Sequence, residues 1–228
     1  MAGETAAATL VGLTAVIAQT FACDEALATL VAAQARLRHW PQRATMIGAG
    51  ERFDAILLIV AGRARLLAYG IDGRVVMVQD FAVGDLIGEG ALIDEGAAGG
   101  EIVATESVDA GSIATPVFIG LMSNHACIAL AVSRLLVTRL SMATRRIVEG
   151  ATLSAVGRIH AEVLRAARAS EAMTISPLPV LAELARAVQS TRETVSRTIS
   201  ALEKRGIVRR TGDALIVVAP HRLEELIY

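Results

Sequence analysis

Glycine is spread so unevenly along these 228 residues that two kinds of structure must share the chain. Twelve of the 19 glycines fall between Gly48 and Gly111, whereas residues 124–149 hold neither glycine nor proline. The first window also carries short apolar runs, Ala55–Val60, Ala64–Tyr69 and Val75–Gln79, separated by Gly62 and by Asp72-Gly73. An Asp-Gly pair between two such runs signals a hairpin, because a type I′ turn needs positive φ at both central residues. Several short strands about ten residues apart predict a small antiparallel barrel, roll or sandwich. The second window predicts a single helix of about 26 residues, some 39 Å long, stopped at Gly150.

That helix has two apolar faces. Leu136, Leu140, Ala143 and Ile147 recur at spacings of four, three and four, an a/d-like seam, while Ile128, Leu135 and Met142 mark a second stripe. One stripe can pack on its own domain; the other needs a different surface, and the same helix of a second copy supplies one by two-fold symmetry. Packing of both stripes within one chain is the competing reading. A further helix is expected at about Leu153–Ala169, then an extended segment at Met173–Leu178, then helix, turn, helix and hairpin.

Charge divides the chain as well. The 22 basic and 23 acidic residues nearly cancel, which excludes a uniformly basic nucleic-acid coat but leaves local patches open. Residues 1–150 hold 11 Arg against 15 acids, whereas residues 151–228 hold 10 Arg and one Lys against 8 acids. The C-terminal part is therefore the candidate for anion binding. Two cysteines, Cys23 and Cys127, are too few for a disulfide framework and fit a reducing compartment. The apolar run Ala6–Ala22 is broken by Thr9, Thr14, Gln19 and Thr20 and preceded by Glu4, so it reads as a helix covering an apolar surface rather than a leader. No other stretch approaches the ~20 uninterrupted apolar residues of a membrane span. A cytoplasmic protein with no membrane partner is expected.

The most informative segment begins at Leu181. Leu181, Leu184, Ala185 and Val188 predict a short amphipathic helix, Gln189-Ser190 a turn, and Ser190 or Thr191 the N-cap of the next helix. There Val195, Ile199 and Leu202 line one face, which leaves Arg192, Glu193, Ser196 and Arg197 on the other. This is a helix-turn-helix pattern, whose second helix enters the major groove of double-stranded DNA with its N-terminal residues at base edges. Arginine donates two hydrogen bonds to guanine and glutamate accepts from cytosine, so Arg192, Glu193 and Arg197 are the candidate base readers. Ser190, Thr191, Thr194 and Ser196 suit phosphate oxygens. Ile207–Arg210 and Ala214–Val218 flank Thr211-Gly212-Asp213 as a hairpin wing that offers Arg209 and Arg210 to the DNA backbone. The competing reading is a solvated helix face with Glu193 and Arg197 paired at i and i+4.

Enzyme signatures are missing. The chain has no Gly-x-Ser-x-Gly elbow, no phosphate loop before a lysine and no His-Glu-x-x-His. His39, His125, His160 and His221 are scattered without metal-ligand spacing. Trp40 and Phe53 read as core or cap residues, and Cys23 as a small buried hydrophobe.

Ser-x-Arg-Glu-Thr-Val-Ser-Arg, with a wing behind it and a glycine-punctuated β domain ahead, resembles the cyclic-AMP receptor protein/FNR (CRP/FNR) family of bacterial transcription regulators. The resemblance spans about residues 35–225 and includes Gly50-Glu51, Gly62, Asp72-Gly73, Gly84-Asp85 and Gly88-Glu89. It implies an α+β chain: an N-terminal antiparallel β-roll of the cyclic-nucleotide-binding, double-stranded jelly-roll type over 1–120, a dimerisation helix over 121–151 and a winged helix-turn-helix over 152–228. It further implies a homodimer on a near-palindromic operator that recruits or blocks RNA polymerase, with Arg192, Glu193 and Arg197 reading bases.

The likeness weakens at the ligand. Nucleotide binders of the family grip the cyclic phosphate with an arginine after the Gly-Glu pair. Here Gly88 and Glu89 remain, but the arginine slot holds Ala98 or Gly99, and Asp94, Glu95 and Glu101 add negative charge. A buried phosphate without a charged partner is strongly disfavoured. Where binders offer Thr-Ser to the base, this chain has Ala143-Thr144, so only Thr144 could hydrogen-bond a purine. Cyclic AMP is expected to bind weakly or not at all. Gly88, Glu89, Ala98, Gly99 and Thr144 are kept as a possible pocket for an uncharged or cationic effector. The family's iron–sulfur sensors need four cysteines, and a haem needs one or two ligands, for which His39 or His125 stays open; no cofactor is expected.

Overall fold

Seven consecutive residues, Ala55–Ala61, are apolar because the strand they form is covered on both faces. Leu57 and Ile59 point into a core between two sheets, with Trp40, Phe81, Ile87 and Val108. Ile56 and Leu58, one residue out of phase, point into a second core under helices. The computed structural model describes residues 2–70, 73, 75–93 and 99–227, without the side chains of residues 2–11. It divides into two compact units, Met1–Thr138 and Arg139–Tyr228.

The first unit begins with α1 (Ala2–Phe21) and α2 (Glu25–Ala33), followed by β1 (Arg36–Trp40), β2 (Thr45–Ile47), β3 (Ala55–Ala61) and β4 (Ala64–Tyr69). Then come β5 (Val75–Phe81), β6 (Leu86–Ile87), a 3₁₀ turn at Glu89–Ile93, β7 (Glu101–Ala104) and β8 (Val108–Ala114). The strands form two four-stranded antiparallel sheets, β1-β8-β3-β6 and β2-β7-β4-β5. This is the double-sheet roll expected from the sequence. β4 and β5 pair as the predicted hairpin, although Asp72 of its turn lies outside the described residues. Gly62 is required between β3 and β4: its φ is +81°, and a Cβ there would stand 1.9 Å from the Ser107 carbonyl oxygen.

The apolar N-terminal run does cover a surface. Leu13, Ile17 and Phe21 of α1 are fully buried on the outer face of the first sheet, beside Ala28 and Val31 of α2. Phe118 and Leu121 of α3 (Thr115–Asn124) join them, as do Ile128 and Val132 from the start of α4 (Ala126–Thr152). Cys23 and Cys127 lie against this core half-buried rather than enclosed.

Helix α4 differs from its predicted limits at both ends. His125 takes an extended backbone that separates α3 from α4, so α4 starts two residues late. Gly150 does not stop it. The helix runs on to Thr152, because an isolated glycine weakens a helix by only about 1 kcal/mol and leaves its hydrogen-bond ladder intact. The stop is Ser154, whose Oγ accepts the Gly157 N–H at 3.0 Å as N-cap of α5 (Ala155–Arg168).

Along α4 the first stripe is left in water: Leu136, Leu140 and Ile147 are 40, 67 and 72% exposed, and Ala143 is exposed too. Of the second stripe only Ile128 is buried, while Met142 is open. Among the described residues α4 is also long and apolar enough to cross a membrane, with mean hydropathy 1.6 over its most apolar 18 residues. An uninterrupted-run criterion passes over it, because Arg134 and Arg139 break the run.

The second unit continues with β9 (Thr174–Ile175), α6 (Leu181–Ala187), α7 (Arg192–Lys204), β10 (Val208–Thr211), β11 (Ala214–Val217) and α8 (Pro220–Glu224). Its core joins Ile159 and Val163 of α5 to Leu184, Val195, Ile199, Leu202 and Leu215. The β10-β11-β9 sheet closes one side.

Candidate nucleic-acid interface

Helix α7 is oriented by its buried stripe. Val195, Ile199 and Leu202 are 0–2% exposed, as their spacing predicts, and Thr198, which sequence reasoning passed over, is buried with them. The Thr198 hydroxyl is satisfied by donating to the Thr194 carbonyl at 2.8 Å. With that face inside, Arg192, Glu193 and Arg197 are exposed together on the other, while Thr194 and Ser196 are half-buried beside them.

The turn ahead of α7 is tightly specified. Gln189 takes a left-handed backbone with φ +51°, and the Ser190 N–H donates to the Ala185 carbonyl at 2.8 Å. Of the two candidate caps, Thr191 is the one used. Its Oγ1 accepts the Thr194 N–H at 3.2 Å and shares a hydrogen bond with the Thr194 hydroxyl at 2.9 Å. The Glu193 carboxyl is held below its ordinary value. Its own backbone N–H holds the carboxylate first, then the Thr191 hydroxyl, with smaller help from Arg192 and Arg197. Its main partners are therefore on its own helix start, not the i+4 arginine.

The wing pairs Val208 with Val217 and Thr211 with Ala214. Arg209 is exposed on it. Arg210 is exposed too, and its Nε lies 3.1 Å from Glu203 Oε1, near the end of α7. No local spacing marks this pair, because the two residues are brought together only by the fold of the hairpin. Arg158 is a second omission, reaching from α5 to the turn carbonyls of Val188 and Gln189.

The β domain holds a cavity of about 270 Å³. Ile47, Phe53, Leu66, Phe81 and Ile102 make it largely apolar, and Gly88, Glu89 and Gly99 also line it. Ala98, Asp94 and Glu95 lie outside the described residues. Thr144 is exposed on α4, in the second unit. Among the described lining residues the sole charge is the carboxylate of Glu89. The negative charge expected from Glu101 is engaged elsewhere. Its carboxylate accepts from the Tyr69 hydroxyl at 2.5 Å and the Thr45 hydroxyl at 2.7 Å, and these bonds hold its pKa low. Trp40 is core, with the Arg38 guanidinium 4.8 Å above its ring. His39 Nδ1 lies 2.7 Å from Asp109 Oδ1, and no metal-holding cluster occurs among the described residues.

Residues 37–125 match the cyclic nucleotide-binding domain, and residues 158–226 match the Crp-like helix-turn-helix domain. The chain belongs to the CRP/FNR family. Like the family's other members it is a DNA-binding transcription regulator. It is 26% identical over 186 residues to the cAMP-activated global transcriptional regulator CRP of Pasteurella multocida, covering 79% of this chain and 89% of that one. Among solved structures, FixK2 from Bradyrhizobium japonicum shares the fold with a TM-score of 0.70 at 19% identity, covering 85% of this chain and 98% of that one. A CooA mutant from Carboxydothermus hydrogenoformans does so with a TM-score of 0.76 at 17% identity, covering 86% and 89%. The helix-turn-helix match in this CRP/FNR-family chain takes in α6, α7 and the β10–β11 hairpin.

Proposed function

We propose that this regulator works as a homodimer on a near-palindromic operator and is competent to bind it without cyclic AMP. The observation that carries the dimer is the water-facing stripe Leu136, Leu140, Ala143 and Ile147 on α4. Apolar side chains in a row on one helix gain about 25 cal/mol for each Å² removed from water, and a second copy buries them by symmetry. Such a dimer presents two α7 helices to successive major grooves, with half-sites about 34 Å apart. Arg192, Glu193 and Arg197 read base edges; Ser190, Thr191, Thr194, Ser196 and Arg209 meet phosphates. RNA polymerase is the expected protein partner, and a DNA-binding role places the protein in the cytoplasm.

The relative from Pasteurella multocida is named as cAMP-activated. Among its described residues, this chain's cavity lining supplies no basic group for a cyclic phosphate. A second reading, a regulator that senses a different small molecule, uncharged or cationic, has support in the largely apolar walls of the same cavity. Fluorescence anisotropy on a two-fold-symmetric operator at physiological salt, with random-sequence competitor, tests both. Specific binding that is unchanged by cyclic AMP or cyclic GMP is expected. Binding only in the presence of either nucleotide would overturn cyclic-AMP independence.

A further inference from the structure

One side chain ties together three stretches of backbone in the DNA-binding unit. Arg158, in the first turn of α5, donates from Nη1 to the Leu153 carbonyl at 3.0 Å, just beyond the end of α4. From the same guanidinium, Nε donates to the Val188 carbonyl at 2.9 Å and Nη2 to the Gln189 carbonyl at 3.2 Å. Val188 and Gln189 are the residues that follow α6 and lead into the recognition helix. The carbonyl of Val188, the C-cap of α6, is among those a helix end leaves without intrahelical partners. Gln189 holds a left-handed backbone, φ +51°, that persists only where its surroundings impose it.

A second arginine on α5 holds the same junction from the other side. Arg165 Nη2 lies 2.8 and 3.1 Å from the two carboxylate oxygens of Glu149 on α4, and its Nη1 pairs with Glu162. Arg158 thus joins the start of α5 to the recognition turn, and Arg165, in the last turn of α5, joins that helix to the last turns of α4, both by charge-assisted hydrogen bonds from planar guanidinium groups.

We infer that Arg158 is a positioning residue for operator recognition: its three carbonyl contacts fix the recognition turn to the C-terminal end of α4, so that the spacing of the two recognition helices in a dimer is set by a rigid connection. The inference rests on the dimeric operator-binding reading. It makes the α4–α5 junction a clamp, held without any bound ligand. A lysine cannot replace the arginine there, because its compact ammonium group does not span three carbonyls in a fixed plane.

The test uses the full chain with Arg158→Met and Arg158→Lys, and operators whose half-sites are separated by the preferred spacing or by one base pair more or fewer. The wild type is expected to bind sharply at one spacing. Arg158→Met is expected to lose about tenfold at that spacing and little at the others, flattening the profile. Arg158→Lys should fall between. A loss equal at every spacing is what simple destabilisation produces, and it would overturn the inference. Amide hydrogen exchange of the free proteins provides a reading independent of DNA. Residues 186–191 should exchange faster in Arg158→Met while the buried stripe of α7 stays protected; an unchanged rate there also overturns the clamp. If the wild type binds no two-fold operator at all, the dimeric reading fails, and the exchange experiment still decides the clamp.

Discussion

The Arg210 guanidinium of the wing lies 3.1 Å from the Glu203 carboxylate near the end of the recognition helix. The two neighbouring wing arginines differ in their contacts: both are exposed, and Arg210 is the one paired with a carboxylate of α7. Arg209→Ala is expected to reduce the slope of log affinity against log salt by about 1, because one fewer counterion is released. Arg210→Ala should change that slope little and lower domain stability by roughly 0.5 kcal/mol, the ordinary worth of a surface ion pair. Salt titrations of DNA binding alongside chemical denaturation separate the two.

Arg192 and Arg197 stand on the exposed face of α7, opposite a stripe that is almost completely buried. Arg192→Ala and Arg197→Ala are each expected to weaken specific operator binding by about 1–3 kcal/mol without moving the unfolding midpoint. Unchanged operator affinity in both variants would remove these residues from the interface.

Leu140 and Ile147 on α4 are the most exposed members of the apolar stripe, at 67 and 72%. The double change Leu140→Asp with Ile147→Asp places two carboxylates where two copies would meet. Sedimentation analysis should show a monomer with native circular dichroism, and operator affinity should fall together with the loss of dimer. A dimer that survives the change would put the interface elsewhere.

The Tyr69–Glu101 pair predicts a pH effect in the β domain. Hydrogen bonds from Tyr69 first, and from Thr45 second, hold the Glu101 carboxyl below its ordinary value, while Tyr69 is raised by the same bond. A lowered folded-state pKa contributes stability that is present above the unfolded value and disappears as pH falls through the folded one. Tyr69→Phe should move the Glu101 titration, followed by side-chain carbonyl NMR, back up toward 4.5. Its stability should approach that of the wild type only in acid.

Much of this molecule is legible from spacing. Val195, Ile199 and Leu202 declare the buried face of α7, and the residues between them declare the exposed one, because helix periodicity alone assigns the faces. The hairpin of β4 and β5 and the strand character of Ala55–Ala61 follow in the same way from turn chemistry and side-chain shape. The end of α4 did not follow, since Gly150 permits a stop without requiring one. Whether the helix continues depends on what Ser154 caps and on what Arg165 holds.

Local order, the faces of helices and the chemical type of the recognition surface were therefore determined by the sequence itself, through forces that act within a few residues. Only the tertiary structure decided that Arg210 meets Glu203 and that Arg158 spans Leu153, Val188 and Gln189. Those partners are separated along the chain. A guanidinium carries no mark of which distant carbonyl or carboxylate it will meet until the burial of the apolar stripes has fixed the path of the backbone between them.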